Sequence, residues 1–242
     1  EGTHAPGHKS LEQTLAVNHH LLLSHGLSVP IIRENSKNSK VGIALNLTPA
    51  YPASSSEADF KAAQLFDEYF NAWYLDPLYG NQYPKNIIKS WIDEGKLTKG
   101  LDFIKDDDFK VIAEPTDFLG INYYSRAIIR CSKTEKHKNL PVEIVPGEKT
   151  KFDWEVFPQG LEELLVRINK DYSPKSLFIT ENGASYDADI QGMEDINDEK
   201  IIQYLESHIH ACKKAVDQGV PLQGYFCWSL MDNFEWAEGL NH

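Results

Sequence analysis

A single carboxylate follows an apolar run in residues 177–184, which read LFITENGA. The run predicts a buried strand, so Glu181 stands at the strand's C-terminal end, and Gly183 permits an abrupt turn after it. A carboxylate held there could be a nucleophile, a general base, a metal ligand or a helix cap. Because most glutamates in proteins are simply solvated, the neighbouring residues have to decide between these roles.

Two polar residues follow a second apolar run, DFLGI. Side chains alternate along a strand, so Asn122 and Tyr124 share one face and Tyr123 lies on the other. If the Tyr124 phenol donates a hydrogen bond to Glu181, it stabilises the carboxylate and fixes its rotamer, as a carboxylate nucleophile requires. Ordinary packing between strands is the alternative role for these tyrosines.

Aromatic residues and acids are interleaved in residues 227–239, CWSLMDNFEWAEG. Aromatic faces stack on the C–H face of a sugar ring, and carboxylates accept hydrogen bonds from its hydroxyl groups. A tryptophan-rich stretch more often belongs to a protein core. Here the mixture favours a carbohydrate ligand over a phosphate or a fatty acid, and the candidate contacts are Trp228, Asp232, Glu235, Trp236 and Glu238.

The composition argues against several classes of partner. A net charge of −12 at pH 7 disfavours binding to nucleic acid or to an anionic membrane, because phosphates would be repelled. No run approaches the roughly 18 apolar residues of a membrane span. The nine histidines show no metal-binding spacing, so neither a metal nor a cofactor is expected. The three cysteines form no CxxC pair, which favours a reducing compartment, the cytoplasm.

Helices and strands are predicted to alternate along the chain. Helical patterns cover residues 10–29, 54–80, 158–172 and 198–219, and apolar strand patterns cover 41–47, 116–125, 176–182 and 222–230. This alternation predicts a parallel sheet covered on both faces. The charged region 131–152 is predicted to be an exposed excursion. The functional-looking residues lie at the C-terminal ends of strands, where a βα barrel carries its active site.

With these segments in place, the chain closely resembles the family 1 glycoside hydrolases, the β-glucosidases and their relatives. The matching segments are GTHAPG, VNHHLLLSHG, VGIALN, DFLGINYYS, LFITENGA and GYFCWSLMDNFEWAEG, in the family's order. The resemblance implies an α/β fold, the TIM (β/α)₈ barrel, with this chain covering roughly its C-terminal half, strands five to eight. Residues 1–242 would be a single domain, a partial barrel truncated at both ends.

The resemblance also implies an activity, the hydrolysis of terminal β-D-glycosides with retention of configuration. Glu181 matches the catalytic nucleophile that forms a glycosyl-enzyme, and Tyr124 matches the tyrosine that hydrogen-bonds it. Asn122 matches an asparagine of the same subsite. The β-linked sugar substrate would be bound by Trp228 as a stacking platform and by Glu235 and Trp236, which match the residues that hold the hydroxyl groups on carbons 4 and 6.

One departure from the family concerns the second carboxyl group. Retaining hydrolysis needs a general acid and base about 5–5.5 Å from the nucleophile, and in this family that glutamate belongs to an Asn-Glu-Pro motif at the end of strand four. The 242 residues contain no Asn-Glu-Pro. We therefore expect the chain to be inactive alone and its partner to be the missing N-terminal half of the barrel.

Three readings of the activity stay open. A thioglucosidase is one of them, because its distinguishing change falls at the acid position. A sugar-binding member of the fold without catalysis is another, although the intact Glu181 weighs against it. A 6-phospho-β-glycosidase fits less well, since Glu235 and bulky Trp236 would repel a phosphate. The preference for glucose, galactose or fucose is not readable from these residues.

Overall fold

A computed structural model of the chain describes residues 6–98, 100–131, 139–141, 147–186, 189–190, 196–231, 233–236 and 239. For 139–141, 189–190 and 196–197 the description is limited to the backbone. Asp232 and Glu238, two of the predicted sugar contacts, lie outside these ranges, as does most of the GTHAPG segment. The chain divides into two compact units, which are described separately.

The first unit comprises residues 1–43, 52–118 and 129–140 and is mainly helical. Its elements are α1 (Leu11–Asn35), α2 (Glu57–Asp67), a π-helical turn (Glu68–Ala72), α3 (Trp73–Leu78), α4 (Lys85–Asp93) and α5 (Asp108–Ile112). They surround an aromatic-rich core that includes Leu15, Leu22, Trp73, Tyr83, Trp91 and Ile112. The single helix predicted over 54–80 is therefore three consecutive helical segments.

Helix α1 is longer than predicted. The sequence pattern ended it near Val29, before Pro30, yet the helix continues through Pro30 to Asn35. Proline removes one backbone donor but leaves the later hydrogen bonds possible, and the Ser36 N–H still donates to the Ile32 carbonyl at 2.8 Å. Within the described ranges, no helix combines the length and the apolar character needed to cross a lipid bilayer.

The second unit comprises residues 44–51, 119–128 and 141–242. Strands in the described part of the chain are β1 (Gly42–Asn46), β2 (Ala50–Pro52), β3 (Phe118–Asn122), β4 (Ala127–Cys131), β5 (Asn139–Pro141), β6 (Leu177–Asn182), β7 (Asp189–Ile190), β8 (Ile196–Asn197) and β9 (Leu222–Cys227). The helices of this unit are α6 (Pro158–Tyr172) and α7 (Glu199–Asp217).

The four predicted strands are confirmed as neighbours in one sheet, in the order β1-β3-β6-β9. The pairs β3–β6 and β6–β9 are parallel, with α6 and α7 as the connections that parallel pairing requires. Both helices turn an apolar stripe inward, at spacings of three and four residues; in α6 it consists of Leu161, Leu164, Leu165 and Ile168. Parallel pairing brings the C-terminal ends of β3, β6 and β9 to one edge.

The sequence prediction missed a second sheet of three strands, in the order β2-β4-β5, and the short antiparallel pair β7–β8. The region 131–152 was predicted to be an exposed excursion, but Cys131 ends β4 and residues 139–141 form β5. These strands are only two to five residues long, so period-two alternation has too few positions to reveal them. Gly147, Glu148 and Lys151 are exposed as predicted, whereas Thr150 is buried, and residues 132–138 and 142–146 lie outside the described residues.

Candidate active site

The predicted contact between Tyr124 and Glu181 is present. The Tyr124 hydroxyl donates a hydrogen bond of 2.6 Å to Glu181 Oε2, and both side chains are half-buried. Burial and the adjacent Glu181 carboxylate together raise the pKa of the Tyr124 phenol well above its ordinary value. The phenol therefore stays protonated and acts as a hydrogen-bond donor to the Glu181 carboxylate.

A β-bulge in β6 sets the direction of Glu181. Ile179 pairs with Ile121, but the next pair along the two strands is Glu181 with Asn122, so Thr180 is an extra residue. Leu177, Ile179 and Asn182 are buried, whereas Thr180 and Glu181 are half-buried. Strict alternation would have put Glu181 on the buried face beside Ile179, and the bulge moves it off that face. The Thr180 hydroxyl donates to Asn122 Oδ1 at 2.6 Å.

Asn182, the residue after Glu181, is fully buried and was not predicted from the sequence. Its Nδ2 donates to the Tyr123 carbonyl at 2.7 Å and to the Tyr204 hydroxyl at 3.0 Å. Its Oδ1 accepts a hydrogen bond from the Tyr225 hydroxyl. Asn182 therefore links the ends of β3 and β9 and helix α7 to the strand that carries Glu181.

Gly183 is needed for a different reason from the one the sequence suggested. It does not adopt a positive φ. Instead, a Cβ at this position would lie 1.7 Å from the carbonyl oxygen of Trp228, far inside van der Waals contact. Only glycine allows the backbone after Glu181 to lie this close to the end of β9.

The segment after β9 carries the predicted sugar contacts. Asn233 Nδ2 donates to Glu235 Oε1 at 2.8 Å, and the Trp228 indole N–H approaches the same oxygen at 3.5 Å. Backbone hydrogen bonds of 2.8 and 2.6 Å join Glu235 to Gly239 and close a short turn. Trp228 is 43% exposed, and Trp236, within the turn, is 83% exposed.

A cavity of about 160 Å³ brings together Tyr124, Trp228 and Glu235, three of the six predicted site residues. The other three, Asn122, Glu181 and Trp236, do not line it. Trp236 is largely exposed within its turn, and Glu181 is half-buried and accepts a hydrogen bond from the Tyr124 hydroxyl.

Trp154 also lines this cavity and was missed by the sequence analysis. Its ring lies 5.2 Å from that of Tyr124, and the Phe152 ring stacks on it at 4.9 Å. The neighbouring Glu155 is buried and accepts two hydrogen bonds from Arg126, at 2.7 and 2.9 Å. This bidentate ion pair fixes the loop that presents Trp154.

The arrangement provides the groups that covalent chemistry by a carboxylate requires. Among the described residues, no group of three His, Cys, Asp or Glu side chains is placed to hold a metal ion. What the structure does offer is a carboxylate with a fixed rotamer, a neutral phenol beside it, and a cavity lined by two tryptophans and a second acid. A carboxylate held in this way can act as a nucleophile.

Comparison with known proteins points the same way. A sequence profile of glycosyl hydrolase family 1 matches residues 1–242. β-Glucosidase A from Acetivibrio thermocellus is 40% identical over 243 residues, an alignment that covers 99% of this chain and 53% of that protein. The chain spans about half the length of the curated relatives it matches.

Solved structures give the same picture. The AHE enzyme from Alicyclobacillus herbarius is 36% identical with a TM-score of 0.91, covering 99% of this chain and 52% of that one. A β-glucosidase from Thermotoga maritima in complex with glucoimidazole is 35% identical with a TM-score of 0.88, again covering 99% and 52%. These likenesses confirm the predicted α/β barrel fold, of which the chain covers about half.

Proposed function

Because the chain belongs to glycosyl hydrolase family 1, we propose that it supplies the nucleophile of a retaining β-glycosidase of the β-glucosidase type. The observation that carries the proposal is the hydrogen bond from Tyr124 to Glu181, at the bulged end of β6. The bulge directs the carboxylate, and the hydrogen bond from the phenol fixes its rotamer. A carboxylate at rest has to be in this state to attack an anomeric carbon.

In the proposed first step, a Glu181 oxygen forms a bond to the anomeric carbon while the bond to the leaving-group oxygen breaks. A general acid gives its proton to that oxygen, and water later hydrolyses the glycosyl-enzyme with the same group acting as base.

The proposed substrate is a terminal β-linked sugar. Trp228 is half-exposed at the cavity, so its face is available for stacking on a sugar ring, and Glu235 is placed beside it to accept hydroxyl hydrogen bonds. Trp236 is exposed on the same segment and is proposed to contact the same sugar. Relatives named β-glucosidases, and a related structure holding glucoimidazole, support a glucose-like ring.

We propose that the second carboxyl group comes from a polypeptide that supplies the other strands of the barrel. The sequence holds no Asn-Glu-Pro, and the relatives are about twice as long as this chain. Residues 1–242 would then serve as a single domain within that barrel, which is supported by the profile matching the whole range. The cytoplasm is the proposed location, since the three cysteines of the sequence form no CxxC pair.

The test uses a substrate that needs no general acid. The 242-residue polypeptide is incubated with a dinitrophenyl 2-deoxy-2-fluoro-β-glucoside, whose phenolate leaves without a proton and whose fluorine slows hydrolysis of the glycosyl-enzyme. We expect release of one equivalent of dinitrophenolate and a fluoroglucosyl group on the peptide that carries Glu181, found by mass spectrometry. Glu181→Gln should abolish both signals.

Two results would contradict the proposal: a label on another carboxylate, such as Glu235, or no label at any reagent concentration. The second result, combined with sugar binding detected by tryptophan fluorescence, would favour the sugar-binding alternative. Cellobiose serves as a further control. Its leaving group needs protonation, so the polypeptide alone should not hydrolyse it, whereas addition of the remaining barrel strands should restore turnover.

A further inference from the structure

The end of β3 is held in place by the residue that follows the proposed nucleophile. β3 ends at Asn122, so the next two residues, Tyr123 and Tyr124, lie beyond the strand. The Tyr123 N–H donates to the Glu181 carbonyl at 3.0 Å, and the Tyr123 carbonyl accepts from Asn182 Nδ2 at 2.7 Å. Two adjacent residues of β6 therefore fix both polar backbone groups of Tyr123.

We propose that Asn182 is a positioning residue for the attack by Glu181, because its side chain holds the end of β3 where the Tyr124 hydroxyl meets the Glu181 carboxylate. The inference rests on the proposed function of Glu181. Tyr124 is joined directly to Tyr123, so a movement of the Tyr123 carbonyl displaces the phenol. A hydrogen bond of 2.6 Å tolerates little displacement before it weakens.

The chemistry of the contacts explains why an amide stands here. The side chain has to donate to a backbone carbonyl and accept from the Tyr225 hydroxyl at the same time, which an amide does and an ionised carboxylate does not. Asn182 Nδ2 also donates to the Tyr204 hydroxyl, which in turn lies 3.4 Å from the Tyr124 carbonyl. Asn182 is thus linked, directly and through Tyr204, to the two backbone carbonyls that flank the Tyr124 Cα.

The geometry also predicts what Asn182 does not control. Trp228, the proposed sugar platform, is tied to Asn182 through a backbone contact, in which the Trp228 N–H donates to the Asn182 carbonyl at 3.0 Å. A substitution of the Asn182 side chain leaves that backbone carbonyl in place. Loss of the amide should therefore slow the covalent step without weakening the binding of the sugar.

The experiment measures labelling by the same fluoroglucoside as a function of its concentration, for Asn182→Ala, Tyr124→Phe and the double variant. We expect Asn182→Ala to lower the maximal labelling rate about tenfold, because the hydrogen bond from Tyr124 to the charged Glu181 carboxylate is lost. The half-saturating concentration should stay within about twofold of the parent. The double variant should be about as slow as Tyr124→Phe, because both changes remove the same contact.

A parent-like labelling rate in Asn182→Ala would overturn the proposal. So would an effect on the half-saturating concentration alone, or effects that multiply in the double variant. If Asn182→Ala fails to fold, Tyr225→Phe removes a single hydroxyl from the network and keeps the ring. It should lower the labelling rate about threefold, in keeping with the loss of one neutral hydrogen bond, and no change would overturn the proposal.

Hydrogen–deuterium exchange separates this inference from the proposed function. The peptide that contains residues 121–125 should exchange faster in Asn182→Ala than in the parent, and Glu181→Gln should leave its exchange unchanged. If the parent polypeptide is never labelled, the role of Glu181 fails, but accelerated exchange would still support the positioning of Tyr124 by Asn182. Unchanged exchange in Asn182→Ala would refute it whatever the labelling shows.

Discussion

The two sides of the candidate site are built in opposite ways. The strand-end cluster, formed by Tyr124, Glu181, Asn182, Tyr204 and Tyr225, is buried or half-buried, and its polar side chains bond to one another or to the backbone. The segment after β9, residues 228–236, exposes large apolar side chains, with Leu230 95% and Trp236 83% exposed. One side is fixed by packing and the other faces solvent.

The contrast indicates a division of labour. A nucleophile has to be held within a few tenths of an ångström of its attacking geometry, and a buried hydrogen-bonded cluster provides that before any sugar arrives. Stacking on a sugar ring tolerates more freedom, so tryptophans on an exposed segment suffice. We therefore expect changes in the strand-end cluster to affect the rate of the covalent step, and changes after β9 to affect binding.

The largest expected effect comes from exchanging one acid on each side. Glu181→Ala should lower labelling by the fluoroglucoside by about 10⁴-fold or more, because the attacking oxygen is gone. Glu235→Ala should keep labelling at saturation and raise the half-saturating concentration about tenfold, for the loss of hydrogen bonds from sugar hydroxyls to a charged group. If Glu235→Ala removes the covalent step and Glu181→Ala does not, the two sides are wrongly assigned.

Acidification should destabilise the buried side of the site through His208. This histidine is fully buried, stacks on Tyr204 at 3.9 Å and donates from Nδ1 to the Tyr204 carbonyl. Burial lowers the pKa of His208 to about 4. The unfolded chain protonates His208 below about pH 6.5, whereas the folded chain protonates it only near pH 4. The neutral, buried His208 therefore contributes its full stabilisation above pH 6.5, and this stabilisation is lost as the pH falls toward 4.

The expected loss between pH 6.5 and pH 4 is about 3 kcal/mol in the free energy of unfolding. His208→Phe keeps an aromatic ring against Tyr204 and should flatten this pH dependence, measured by urea unfolding at each pH. His210→Phe, at an exposed position on the same helix, is the matched control. Its free energy of unfolding should depend on pH as that of the parent does. If His208→Phe and the parent lose the same free energy of unfolding between pH 6.5 and pH 4, His208 does not titrate in this range.

The hydrogen bond between Tyr124 and Glu181 should accelerate labelling by the fluoroglucoside about tenfold. Tyr124→Phe removes the hydroxyl and keeps the ring that packs near Trp154, so the maximal labelling rate should fall about tenfold at neutral pH, as for a hydrogen bond to a charged group. An unchanged maximal labelling rate in Tyr124→Phe would contradict the assigned role of the phenol.

Much of this side of the site was predictable because it follows strands. The apolar runs identify β3 and β6, and the C-terminal ends of parallel strands meet at one edge, so Tyr124 and Glu181 were expected to touch. The bulge at Thr180 was not predictable: alternation puts Glu181 beside Ile179 and Asn182 on the opposite face, and one extra residue reverses both assignments. The importance of Asn182 follows from that reversal.

Residues outside the strands were harder to identify. Trp154 lies in a loop, and its place at the cavity depends on the ion pair between Arg126 and Glu155, which are 29 residues apart. No local sequence pattern predicts a contact between residues so far apart in the chain. After β9 the residue types alone indicated a sugar site, but exposure differs widely among them, and exposure is set by the turn that the backbone bonds between Glu235 and Gly239 close.

The smallest effect is expected at Trp236. It is the more exposed of the two tryptophans and does not line the cavity that Trp228 shares with Tyr124. An aromatic contact made in water contributes only about 0.5–1 kcal/mol, so Trp236→Ala should raise the half-saturating concentration of the fluoroglucoside about threefold and leave the maximal labelling rate unchanged. Trp228→Ala, at the cavity, should raise it more, about tenfold. If Trp236→Ala instead slows labelling at saturation, the exposed segment takes part in positioning the sugar for attack. The rate of the covalent step would then depend on both sides of the site, and not on the buried side alone.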